Sequence, residues 1–105
     1  MSNDAERYRE WEILEPSSSF EKHFRSRPDH INYIPEFESD VTTNPFRSPR
    51  GRIVRIQQTK GRYREGVYRW KKSDLRIVYF PEKANHTIYP LDAGTAANIG
   101  YKKRS

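Results

Sequence analysis

The chain contains no cysteine, so neither disulfides nor thiolate metal sites hold its fold and no thiol nucleophile is available. It has no apolar run near the roughly 18 residues of a membrane-spanning helix. Its first residues, MSNDAERYRE, lack the basic-then-apolar order of a secretory signal. A soluble cytoplasmic protein with no membrane association is the expectation. Apolar residues are also scarce, at 33 % against 32 % charged. Core burial must therefore come largely from seven tyrosines, five phenylalanines and two tryptophans. At 105 residues the chain suits a single domain, 1–105, with residues 1–9 as a frayed polar tail.

Acidic residues are scarce in one half only. Residues 1–44 carry five lysines and arginines against ten acids, a balance of −5, whereas residues 45–105 carry 15 against 4, a balance of +11. The overall +6 conceals this division. A strongly cationic half points to a polyanionic partner, and nucleic acid suits it better than a membrane because no basic amphipathic helix stands out.

Along the chain, WEILEP (Trp11–Pro16) predicts a short strand ending at its proline. Ser18 with Glu21 fits a capping box, and Phe20 with Phe24 gives the apolar stripe of a short helix that stops before Pro28. Ile31, Ile34, Phe37 and Val41 continue at helical spacing, with Pro35 either starting a new helix or kinking an existing one. TTNPFRSPRG (Thr42–Gly51) reads as a loop. The pattern then changes to period two, predicting strands at Arg52–Gln57, Gly66–Lys72, Leu75–Phe80 and His86–Leu91. The tail AANIGYKKRS is read as a short helix or a basic end.

A turn centred on Ser73-Asp74 pairs Tyr68 with Tyr79, Trp70 with Ile77 and Lys72 with Leu75 on one sheet face. The other face then holds Arg69 opposite Val78 and Lys71 opposite Arg76. Like charges set directly opposite each other are destabilising. Three convergent cations on one face suggest a phosphate site, the alternative being solvated side chains or ion pairs with acids from elsewhere.

GVYRWKKSDLRIVYF, preceded by RIVRIQQTKGRYRE and followed by HTIYPLDAG and a terminal tyrosine, resembles the RelE/ParE superfamily of bacterial toxins over about residues 44–101. The resemblance implies a small α+β RelE-like fold, an antiparallel twisted sheet with two N-terminal helical segments packed on one face. RelE-type members cut mRNA in the ribosomal A site, whereas ParE-type members inhibit DNA gyrase, and a cognate antitoxin neutralises both. The expected function is thus that of a toxin acting as a metal-independent, ribosome-dependent mRNA endoribonuclease, without a cofactor. The alternatives are a non-catalytic gyrase inhibitor and a weakened member that binds only RNA and its antitoxin.

By that resemblance the catalytic positions are Arg69, Lys71, Arg76 and Tyr101. In such a reaction the 2′-oxygen attacks the adjacent phosphorus. Lys71, crowded by Arg69 and Arg76, suits the base, while the two arginines suit charge stabilisation. Tyr101 is an acid, a base, a stacking ring or a tail anchor. Arg52, Arg55, Lys60, Arg62, Arg64, Lys102 and Lys103 are candidates for RNA phosphate contacts, and His86 is a candidate proton donor. Family members commonly carry basic residues after the glycine ending the last strand, but here Gly94 precedes Thr95, Ala96 and Ala97. His23 and His30 read as structural or exposed.

Overall fold

A computed structural model describes residues 11–48, 50–56 and 63–99. The first strand, β1 (Glu12–Ile13), is only two residues long. Helix α1 (Ser18–Ser26) follows, then a 3-10 segment over Pro28–Tyr33 and helix α2 (Ile34–Thr43). Four further strands complete the order: β2 (Ile53–Arg55), β3 (Tyr68–Lys72), β4 (Leu75–Glu82) and β5 (Thr87–Thr95).

The α1 cap lies one residue before the expected one. Ser17 accepts from the Phe20 amide at 3.2 Å and also donates to the Leu91 carbonyl of β5 at 2.5 Å, so one hydroxyl both starts the helix and ties it to the sheet. Pro35 lies in the first turn of α2, where its missing N–H costs no helical hydrogen bond. It therefore starts a new helix. Ile31, grouped with the apolar stripe by spacing, is 48 % exposed because the tighter 3-10 winding rotates it off the core-facing side.

The five strands form one sheet in the order β1-β5-β4-β3-β2. The expected α+β fold is found, with one correction: the sheet is mixed, because β1 runs parallel to β5 through Glu12 with Thr87 and Ile13 with Ile88. The β3–β4 register is the one predicted from the turn, including Trp70 with Ile77 and Lys71 with Arg76. A register shift at Val78/Tyr79 lets β4 and β5 stay paired from Leu75–Thr95 to Glu82–Thr87.

The helices cover one sheet face. Phe20 and Phe24 of α1 and Phe37 and Val41 of α2 pack with Ile53, Trp70, Leu75, Ile77, Tyr79 and Ile88. Phe37 meets the edges of Trp70 and Tyr79 at centroid distances of 5.6 and 5.7 Å. A few aromatic rings thus supply much of the core in a chain poor in aliphatics. The opposite face has a smaller cluster, Ile56, Val67 and Val78, joined by Tyr63, Phe80, Leu91 and Ile99.

Candidate functional site

Strand alternation sends Arg69, Lys71 and Arg76 to the sheet face opposite α1 and α2. Lys71 and Arg76 are half-buried and directly opposed near the hairpin tip. Arg76 Nη1 donates to the carbonyls of Ser73 at 2.8 Å and Leu75 at 3.0 Å, which folds its guanidinium back over the turn. Arg69 is only 2 % exposed, and its Nη1 donates to the Arg52 carbonyl at 3.2 Å. The three cations share a face, but they are not equally accessible. Lys71 and Arg76 form the outer pair, and Arg69 lies beneath the surface.

Gly94 of β5 is the register partner of Arg76. A side chain there would press on Ile99, whose Cδ1 stands 3.3 Å from an ideal Cβ position. Ile99 reaches that place through a tight turn in which the amides of Asn98 and Ile99 both donate to the Thr95 carbonyl, at 3.0 and 2.9 Å. Thr95, Ala96 and Ala97 therefore bring no cation beside Gly94.

The remaining expected RNA contacts disperse. Arg52 Nη1 bonds Glu36 Oε2 at 2.7 Å and Asp40 Oδ2 at 3.3 Å, and its side chain is 12 % exposed. That guanidinium bonds α2 and fastens the start of β2 to the helix, at a position where the sequence reading expects an RNA contact. Lys72 shares Glu36 at 3.3 Å. The bonds to Arg52 and then Lys72 hold the Glu36 carboxyl below its ordinary range. Arg55 is exposed on the edge strand, and the exposed Arg64 places its guanidinium 3.8 Å from the Phe80 ring centroid. Lys60, Arg62, Tyr101, Lys102 and Lys103 lie outside the described residues.

His86 sits in the turn before β5 and stacks on Trp11 with centroids 4.4 Å apart and planes at 11°. It lies at the Glu82 end of β4, six residues from Arg76, a separation of about 20 Å at strand rise. At that separation His86 does not touch Lys71 or Arg76.

The structure instead joins three residues that sequence reading left apart. His30, 1 % exposed, places Nε2 2.9 Å from Asp74 Oδ1 and Nδ1 2.8 Å from His23 Nε2. Arg27 pairs with Asp29 at 3.0 and 2.9 Å and lies 3.7 Å from Asp74 Oδ2. The hydrogen bond from Arg27 holds Asp29 at about 2, and the one from His30 lowers Asp74. Burial, followed by the charges of His30 and Arg27, lowers His23 below 6.5. The His23 ring lines a cavity of about 490 Å³ between α1 and the C-terminal half of β5. The two histidines were visible in the sequence, but Asp74, 44 residues beyond His30, gave no signal that it belonged with them.

No protein-family model matches the chain, and no curated protein matches it at a significant level. Solved structures do. A chain of the RelBE2 toxin–antitoxin complex from Mycobacterium tuberculosis is similar with a TM-score of 0.62 and 13 % identity, covering 82 % of this chain and 98 % of that one. A metal-bound toxin from Helicobacter pylori gives 0.62 and 18 %, covering 85 % of this chain and 98 % of its own. The architecture is that of RelE-type toxins.

Proposed function

We propose that this chain is the toxin of a toxin–antitoxin pair and that it cleaves mRNA on the ribosome, in the cytoplasm and without a metal. The fold likeness to a chain of a toxin–antitoxin complex and to a toxin supports the first part. The observation that carries the second is the direct opposition of Lys71 and Arg76 across the β3–β4 ladder, on the sheet face opposite α1 and α2. Like charges set directly opposite each other disfavour folding slightly, and a phosphate bound against both would offset that repulsion with attraction.

In this reading a phosphodiester lies against the outer pair, the nucleotide's 2′-oxygen attacks phosphorus, and the P–O5′ bond breaks to leave a 2′,3′-cyclic phosphate and a 5′-hydroxyl that takes its proton from water. Arg76 and the Lys71 region neutralise the charge that develops on the phosphorane, with Lys71 as the group placed to take the 2′ proton. Arg69 acts from beneath, holding the strand through the Arg52 carbonyl and adding fixed positive charge. The partner is an antitoxin whose acidic or amphipathic segment covers the same cationic face.

A second reading, gyrase inhibition by binding alone, is favoured by the bonds that Arg76 already makes to two turn carbonyls and by the burial of Arg69.

Primer extension on mRNA from cells briefly expressing the wild type, Lys71→Ala or Arg76→Ala separates the two. New 5′ ends inside translated regions, reduced about 100-fold or more in both variants, are expected. Circular dichroism of each purified variant checks that the hairpin still folds. Growth arrest with intact mRNA and inhibited supercoiling would overturn the nuclease reading.

A further inference from the structure

The turn that carries the cationic pair is held from several directions. From the helical layer, His30 Nε2 donates to Asp74 Oδ1 at 2.9 Å, and Arg27 Nη1 stands 3.7 Å from Asp74 Oδ2. His30 is 1 % exposed, and His23 Nε2 backs it 2.8 Å from its Nδ1. The Asp74 carbonyl accepts from the Ala96 amide at 3.0 Å, which ties the same residue to the chain just beyond β5. On the other side of the turn, the Ser73 carbonyl accepts from Arg76 Nη1 at 2.8 Å. Two adjacent turn residues thus connect the helical layer to the guanidinium of the proposed phosphate site.

The connection is mechanical. The Ser73 carbonyl belongs to the planar peptide that joins Ser73 to Asp74, so a turn of Asp74 also turns the acceptor that Arg76 uses. Ser73 has φ of 55°, a left-handed conformation that an L side chain adopts only at a cost. Such a conformation persists where its surroundings over-determine it, and here the bond from buried His30 is one of the contacts that do so.

The turn engages only one nitrogen of Arg76. Nη1 has two N–H groups, matched by the Ser73 carbonyl at 2.8 Å and the Leu75 carbonyl at 3.0 Å. Nε and Nη2 bond no described residue. Those two nitrogens form the side of a guanidinium that grips two phosphate oxygens at once. An arginine already fixed through Nη1 loses less freedom when a phosphate binds. Lys71, its cross-strand partner, places a second charge beside that fork.

We infer that Asp74 and His30 are positioning residues for the phosphate site: their bond fixes the Ser73-Asp74 turn so that Arg76 offers its Nε–Nη2 edge beside Lys71. The inference rests on the reading of Lys71 and Arg76 as a phosphodiester site, and it gives neither Asp74 nor His30 a contact with RNA.

The test is NMR of the full chain, following the Arg76 guanidinium while an uncleavable deoxydinucleotide with one phosphodiester is titrated in. In the wild type the two restrained Nη1 hydrogens should give resolved signals, and the dinucleotide should shift Nε. Asp74→Ala should average the Nη1 signals and weaken binding about tenfold, with the Trp70 indole signal in place to show an intact hairpin core. His30→Leu, which fills the buried site without a donor, should behave the same way. Asp74→Asn, which keeps an acceptor for His30, should bind within about threefold of the wild type. Unchanged Arg76 signals in Asp74→Ala, equal weakening in Asp74→Asn, or a Trp70 signal displaced along with those of Arg76 would overturn the positioning role. A wild type that does not bind the dinucleotide would overturn the phosphate site itself, whereas dinucleotide binding with intact cellular mRNA would overturn only the nuclease reading.

Discussion

The indole Nε1 of Trp70 donates to Asp40 Oδ2 at 2.8 Å, joining the fully buried ring at the centre of β3 to helix α2. The same carboxylate oxygen lies 3.3 Å from Arg52 Nη1, so one side chain serves both a buried aromatic donor and the arginine that anchors β2. Replacing Asp40 with alanine strands the indole N–H away from water. We expect Asp40→Ala to cost about 2–3 kcal/mol in urea unfolding and Asp40→Asn, which keeps an acceptor, clearly less. Equal losses would show that the carboxylate charge, not the indole bond, is what matters.

Tyr79 makes a comparable link through its hydroxyl, which donates to the Pro45 carbonyl at 2.6 Å inside the core. Tyr79→Phe keeps the ring and removes the donor, leaving that carbonyl unsatisfied. A loss of about 1–2 kcal/mol is expected. Burial raises the Tyr79 phenol well above 10.0, so ultraviolet titration of the native protein should leave one tyrosine un-ionised until the fold itself opens.

Gly66 precedes β3 with φ of 85°, and an ideal Cβ there would stand 3.3 Å from Phe80 Cε1. Both the backbone angle and the ring oppose a side chain. Gly66→Ala should lower stability by about 1–2 kcal/mol. Pairing it with Phe80→Leu separates the two causes, since only the contact is relieved by the smaller side chain.

Stability should fall on acidification in two stages. His23 has a folded pKa below 6.5 because of burial, so the unfolded chain binds more protons and stability declines as pH drops through 6.5. Asp29, Glu36 and Asp74 are also depressed, by bonds from Arg27, Arg52 and His30 respectively. Their contribution is complete above the ordinary carboxylate range and is lost as pH falls from 3.8 toward about 2 for Asp29. Urea midpoints measured between about pH 8 and pH 3 check this, and His23→Gln should remove the upper stage alone. A midpoint constant down to about pH 4 would contradict the assignment.

The features visible in the sequence were those made by neighbours. The Ser73-Asp74 turn and the alternation around it specify which side chain faces which, and the observed ladder pairs Lys71 with Arg76 and Trp70 with Ile77 accordingly. Phe20 with Phe24, and Phe37 with Val41, mark the buried stripes of α1 and α2 for the same reason: helical period is a local property. The α1 cap was less legible, because three consecutive serines offer the same hydroxyl and only the Leu91 carbonyl selects Ser17.

Other features depended on chain topology. The parallel docking of two-residue β1 on β5, the capture of Arg52 by Glu36 and Asp40, the burial of Arg69 and the meeting of Asp74 with His30 all join segments far apart in the chain. A residue type and its spacing reveal what a side chain can bond, and in a helix or hairpin also what stands beside it. Which distant group arrives, and whether a cation ends at the surface or beneath it, is decided when layers pack. The sequence by itself therefore determined the α+β class, the hairpin register and the cationic face. The tertiary structure decided which cations remain accessible and brought two histidines of the acidic half to an aspartate of the basic one.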